Sequence, residues 1–256
     1  MMKRKCLYLA GAAPALEYAG TYLRRRGCAL ADAPGPEVTH LLLPVPSLNP
    51  AGHLPGGTAL ETVLETLPGD VVILGGNLPE DLAERYRTVD FLRDPLYLAR
   101  NAAITAQCAI RMAGARLPRV WEGCPVLILG WGRIGKFLAS YLKALGAEVA
   151  VAARKETDRA LLRAMGFRAE DTEGIGEYLP HFRVVFNTIP APVVTSEQTA
   201  ACHPDTILMD LASSPGMDGG AVIRARGLPG KMAPESSGVL IGRTAMGVLI
   251  AREAAQ

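Results

Sequence analysis

Short apolar runs alternate along the chain with longer amphipathic stretches, which is the pattern of parallel strands covered by helices. In the first third, strands are expected at 5–10, 40–44 and 70–75, with helices at 13–26, 58–67 and 79–87. Residues 95 to about 116 read as one long Ala-rich helix, and 119–123 lead from it into a second alternating series. There, strands are expected at 125–130, 148–153, 183–188 and 206–211, helices at 134–145 and 157–165, and a closing helix at 236–254. The fold class this implies is α/β, with two doubly wound parallel-sheet domains and a cleft between them. Residues 1–95 form the first, substrate-binding and flavodoxin-like, with the C-terminal helix (236–256) crossing back to complete it. Residues 96–118 are the connector helix and 119–235 the second domain.

The second domain opens on PVLILGWGRIG, an apolar run that ends in a Gly130-x-Gly132-x-x-Gly135 turn and continues as a helix. A strand, this turn, a helix and a further strand make a Rossmann-like dinucleotide site. Gly130 permits the sharp turn, Gly132 lets the backbone approach a pyrophosphate, and Gly135 lets the helix pack on the strand. Trp131, Arg133 and Ile134 complete the turn as candidate cofactor-binding residues. At the end of the next strand, where an NAD site usually places a carboxylate, stand Arg154 and Lys155. Two cations there favour a 2′-phosphate, so NADP is the expected cofactor, with NAD a possibility. The alternative is a solvated basic pair opening the next helix beside Glu156 and Asp158. Two further segments at strand carboxyl ends, Asn187-Thr188-Ile189-Pro190 and Asp210-Leu211-Ala212-Ser213-Ser214-Pro215-Gly216, are candidates for bonding the nicotinamide ribose and carboxamide, with Leu211, Ala212 and Ser213 the binding candidates of the second.

Composition narrows the field. Nearly half of the 256 residues are hydrophobic, few are aromatic and the formal charge is only +2, so nucleic acid is not implied. The Arg24-Arg25-Arg26 run ends a helical stretch and complements its dipole. Five cysteines without metal-ligand spacing argue against zinc or a disulfide framework, and no metal site is expected. No apolar stretch reaches the length of a membrane span, which leaves a soluble, cytoplasmic protein as the expectation.

With these motifs in place, the stretch 125–249 resembles the family of dipicolinate synthase A subunits. The resemblance rests on GWGRIG followed by KALGAEV, AAR at the second strand end, NTIP, DLASSPG and RGLPGKMAPESSG, in that order. NAAITAQ (101–107) is similar to a degenerate form of the family's connector run. The resemblance implies an NADP-dependent oxidation of a dihydrodipicolinate-level substrate, on the lysine-pathway branch to dipicolinate in sporulation. It also implies a small dicarboxylate substrate, a partner in the form of a flavoprotein-like B subunit, and a homo-oligomer. Asn101, Thr105, Glu235 and Ser236 become the catalytic candidates by their place in the matched segments. Arg100, Arg111, Lys231 and the backbone at Gly230 are candidates for the substrate carboxylates. Three positions depart from the family pattern: Gln107 and Glu235 stand where an acid and a lysine are usual, and Gly11-Ala12-Ala13-Pro14 lacks an acid. Two other readings therefore stay open, an NADP-binding subunit or sensor without chemistry of its own, and a D-2-hydroxyacid dehydrogenase. Against the latter, no histidine follows Asp210.

Overall fold

The computed structural model describes residues 5–251, and the chain divides into two compact units. One takes the residues up to Asn101 together with those from Pro229 on; the other is Ala102–Leu228.

In the first unit, β1 (Cys6–Leu9), α1 (Pro14–Arg25), β2 (Ala29–Ala31), β3 (His40–Leu42), α2 (Leu60–Leu64), β4 (Val72–Gly75), α3 (Leu82–Arg85) and β5 (Arg87–Asp90) follow in order. The strands form one parallel sheet, β2-β1-β3-β4-β5, the flavodoxin-like order with its switch point between β1 and β3. Pro14 at the start of α1, Arg24 and Arg25 in its last turn, and Gly27 at φ +79° just beyond it are the expected start and stop signals. The helices expected at 58–67 and 79–87 are shorter. Thr66 Oγ1 turns back to the Val63 carbonyl at 2.7 Å to close α2, and Tyr86 is already extended, so the chain passes from α3 straight into β5.

The long helix α4 (Pro95–Gly114) carries the chain into the second unit. There β6 (Pro125–Leu129), α5 (Arg133–Ala144), β7 (Glu148–Ala152), α6 (Glu156–Ala164), β8 (Arg168–Glu170), α7 (Ile175–Tyr178), β9 (Val184–Asn187), α8 (Ser196–Ala200), β10 (Ile207–Asp210) and β11 (Ile223–Arg224) build a six-stranded parallel sheet. Its order, β11-β10-β9-β6-β7-β8, is that of a dinucleotide-binding fold, with the switch point between β6 and β9. Leu127, Leu129, Ala150, Val185 and Leu208 fill one face of this sheet, and Val126, Ile128 and Phe186 are fully buried too. A sheet covered on both faces needs such continuous apolar strands.

After the short α9 (Leu228–Met232), α10 (Pro234–Ala251) packs along α1 within the first unit. The two helices approach closely because Gly238 and Gly242 present no side chain: a Cβ on Gly238 would strike the Ala15 carbonyl, and one on Gly242 would lie 2.9 Å from the Tyr22 ring. Residues 252–254 of the expected closing helix lie outside the described residues. Among the described residues no helix is long and apolar enough to cross a membrane.

Candidate functional site

The site is built at the carboxyl edge of the second sheet, where β6 gives way to α5. Gly130 continues the ladder through its N–H to the Ala152 carbonyl at 2.9 Å, then turns at φ +101°. A Cβ there would lie 2.6 Å from Thr188 Oγ1 and 2.9 Å from Ile189. One on Gly135 would run into the Gly130 carbonyl, so the first turn of α5 can sit against the loop only as glycine. Gly132 differs: a Cβ there would meet nothing within 4 Å. It is the N-cap of α5 and brings no side chain to its first-turn N–H groups, so the helix start faces open space with its donors and partial positive charge. This is a cradle that fits a pyrophosphate. Arg133, exposed, and Ile134, half-buried, begin the helix. Trp131 contributes only its main chain to the turn, since its indole packs towards Phe167, ring centroids 6.1 Å apart.

The loop after β7 is held by Arg159. This guanidinium, 13% exposed, donates to the Ala153 and Arg154 carbonyls at 2.8 and 2.9 Å, and pairs with Glu156 at 2.7 Å and Asp171 at 2.6 Å. Glu156 also pairs with Arg163, and Glu170 with Arg168. Its arginine partners, Arg163 and then Arg159, hold the Glu156 carboxyl below its usual range. Three carboxylates near the end of β7 are thus already matched, whereas Arg154 and Lys155 are exposed and form no ion pair among the described residues.

The other two segments are tied to each other. Buried Asn187 donates to Asp210 Oδ1 at 2.9 Å and to the Ile189 carbonyl at 3.1 Å, and accepts from the Ile189 N–H at 3.0 Å. Asn187, one of the expected cofactor-binding residues, thus spends its amide donors and one lone pair of its side-chain oxygen on holding the ends of β9 and β10 together. Asp210, 2% exposed, also accepts from the N–H groups of Ala212, Gly216 and Met217 and from Arg224 at 2.6 Å. Burial works to raise its pKa, but the bonds from Gly216, Asn187, Ala212 and Met217 outweigh it and hold the carboxyl below its usual range. Thr188 donates to the Leu129 carbonyl at 2.9 Å, joining the β9 loop to the glycine turn. Leu211 and Ala212 are buried, while Ser213 and Pro190 are exposed and Ile189 half-buried. Arg224 and Arg159 were not among the expected site residues, and Asp210 was expected only as the first residue of its segment. The sole sequence signal was an acid at a strand end before SSPG.

The catalytic candidates fall on two other elements. Asn101 and Thr105 are one turn apart on α4, half-buried and buried respectively, with Gln107 exposed nearby. Glu235 and Ser236 are exposed in the first turn of α10. Arg100, Arg111 and Lys231 are exposed as well.

Residues 101–226 match the family described as D-isomer specific 2-hydroxyacid dehydrogenase, NAD binding domain. With the strand order and the glycine cradle, this defines the second unit as a nicotinamide-dinucleotide-binding domain of the dehydrogenase type. The chain is also 28% identical to the A subunit of dipicolinate synthase from Bacillus subtilis (strain 168) over 235 residues, 84% of this chain and 78% of that protein. The crystal structure of the Bacillus halodurans A subunit superposes with a TM-score of 0.83 at 25% identity, covering 97% of this chain and 99% of that one. The crystal structure of its Bacillus subtilis counterpart also gives 0.83, at 23% identity, over 100% of this chain and 99% of its own. The chain is a divergent homologue of the dipicolinate synthase A subunit.

Proposed function

We propose that this chain is an NADP-dependent oxidoreductase of the dipicolinate synthase type, oxidising a dihydrodipicolinate-level substrate to dipicolinate. The observation that carries the cofactor choice is the Arg154–Lys155 couple at the end of β7, which forms no ion pair among the described residues and stands beside carboxylates already taken by Arg159, Arg163 and Arg168. A 2′-phosphate suits two free cations, and a ribose 2′-hydroxyl would want one of those carboxylates free. The bound nicotinamide would supply the hydride acceptor, and loss of a hydride and a proton leaves the substrate an aromatic pyridine. The chain's own part is to hold the phosphates at Gly132 and the start of α5 and to keep the β9 and β10 loops rigid through Asn187 and Asp210. The substrate carboxylates want cations, for which Arg100, Arg111 and Lys231 are the candidates, and Glu235 or Ser236 are the candidates to orient the substrate or relay its proton. A flavoprotein-like B subunit is the proposed partner.

A hydroxyacid dehydrogenase activity is disfavoured because no histidine follows Asp210 to serve as the acid–base. A non-catalytic NADP-binding subunit is the second reading, favoured by the exposed amide of Gln107 where the family carries an acid. Calorimetric titration with NADPH and NADH tests the cofactor, and dipicolinate formation from the lysine-pathway intermediate with NADP and a B subunit tests the chemistry. Tight NADPH binding with product supports the leading reading, binding without product the second, and binding of neither refutes both.

A further inference from the structure

A cavity in the nucleotide domain lies behind the glycine turn, with which it shares Trp131. It lies between α5 and α6, encloses about 440 Å³, and is walled by Trp131, Phe167, Leu161 and Met165, with the chains of Lys136 and Lys143 along it. That volume is in the range of small-molecule sites, roughly 300–1,000 Å³. Its apolar walls are incompletely covered, for Leu161 is 50% exposed and Met165 48%. Trp131 and Phe167 stand at 60° to one another, and a lysine lies over each ring: Lys136 Nζ is 5.7 Å from the Trp131 centroid, Lys143 Nζ 4.4 Å from that of Phe167. Lys143 also donates to the Met165 and Gly166 carbonyls, which fixes its ammonium beside the cavity. Lys136, Ser140 and Lys143 share one face of α5, and no carboxylate lines the space. The indole Nε1–H of Trp131, buried, has no hydrogen-bond partner among the described residues.

Aromatic walls, two ammonium groups on one side and no acid describe a ligand that is flat, apolar on its faces and anionic at an edge. We propose that the α5–α6 cavity is a binding site for an aromatic carboxylate, its ring against Trp131, Phe167 and Met165 and its carboxylate on Lys136 and Lys143. The product of the reaction proposed above belongs to this chemical class, but the site stands on its own residues, independently of that reading.

The probe is 2-naphthoate, with neutral 2-naphthamide as control, followed by the indole N–H resonance of Trp131, which Trp131→Phe distinguishes from that of Trp121. The expected result is a saturable shift with 2-naphthoate, a Kd below about 1 mM, and at least ~10-fold weaker binding of the amide. Lys136→Glu should weaken the acid about 10-fold or more and leave the amide unchanged. The substitution is compatible with folding, since Lys136 is exposed in the first turns of α5, where a negative charge suits the helix dipole. Leu161→Glu, also at an exposed position, should weaken both probes. Equal binding of acid and amide, no saturation, or an acid affinity indifferent to both substitutions would overturn the proposal. So would displacement of 2-naphthoate by equimolar NADPH, which would merge the cavity with the dinucleotide site.

Discussion

The amide of Asn187 and the carboxylate of Asp210 meet at 2.9 Å, both buried at the ends of β9 and β10, and the loops that follow are tied further by the Val193 and Val194 N–H groups on the Gly216 carbonyl at 2.8 and 3.1 Å. Asp210 takes four further hydrogen bonds, three from backbone N–H groups and one from Arg224. Asp210→Asn should replace an acceptor of all these bonds by a group that is half donor, leaving N–H groups and a guanidinium without their partner. Arg224 is 41% exposed and can turn to water, so the expected loss, about 2–3 kcal/mol, comes from the buried N–H groups left without their acceptor. Thermal unfolding checks it; a loss below ~1 kcal/mol would show that water replaces the carboxylate at little cost.

The same carboxylate sets an acid limit. Its folded-state pKa lies below the ordinary value, so its contribution is complete above the unfolded pKa of about 4 and is lost as pH falls through the depressed folded value. Denaturant unfolding between about pH 7 and 2 should show stability falling below about pH 4, and the slope should be shallower in Asp210→Asn than in the parent. Glu61 and Glu156 are shifted in the same direction, so comparing the two proteins isolates the part due to Asp210.

Gly132 and Gly135 separate binding from folding. A Cβ on Gly132 meets nothing within 4 Å, and its φ of −79° is open to any residue. Gly132→Ala should leave stability within ~0.5 kcal/mol while weakening NADPH, because the methyl occupies the approach of the pyrophosphate. Gly135→Ala drives its methyl into the Gly130 carbonyl and should cost about 1–3 kcal/mol of stability whether or not ligand is present. Calorimetry and thermal melts on both variants decide; equal NADPH affinity in Gly132→Ala and the parent would remove the phosphate from this turn.

The parts of the molecule that were legible in sequence share a physical trait. All seven interior strands, β1, β3, β4, β6, β7, β9 and β10, are apolar runs because a buried parallel strand has no polar face to show. The four strands that escaped notice, β2, β5, β8 and β11, are the four sheet edges, two to four residues long and, in three of the four, carrying charge. Short charged edges resist unwanted pairing and for the same reason leave no hydrophobic signature. The glycine turn was legible since its geometry is local. The Asn187–Asp210 bond spans 23 residues and the Arg159–Asp171 pair joins a helix to the end of β8, contacts that only the strand order brings about.

Arg154 is the residue on which cofactor choice turns. Arg154→Asp should cut the NADPH/NADH affinity ratio at least ~10-fold, by losing a charge-assisted bond to the 2′-phosphate and setting an acid beside it. Titration with both cofactors measures it directly. An unchanged ratio would return Arg154 to the role of a solvated helix-opening cation.

Arg159 offers a sharper test, because it separates position from charge. Its guanidinium reaches two carbonyls and two carboxylates at once, fixing the backbone that presents Arg154. An ammonium on a flexible stem cannot span that set, so Arg159→Lys keeps the net charge and frees the loop. If the preference for NADPH depends on where Arg154 is held, Arg159→Lys should lower NADPH affinity about 5–10-fold while changing NADH affinity less than twofold. If it depends only on a positive field at the end of β7, both affinities should stay where they were, and the guanidinium of Arg159 would be left with the stability of α6 as its sole task.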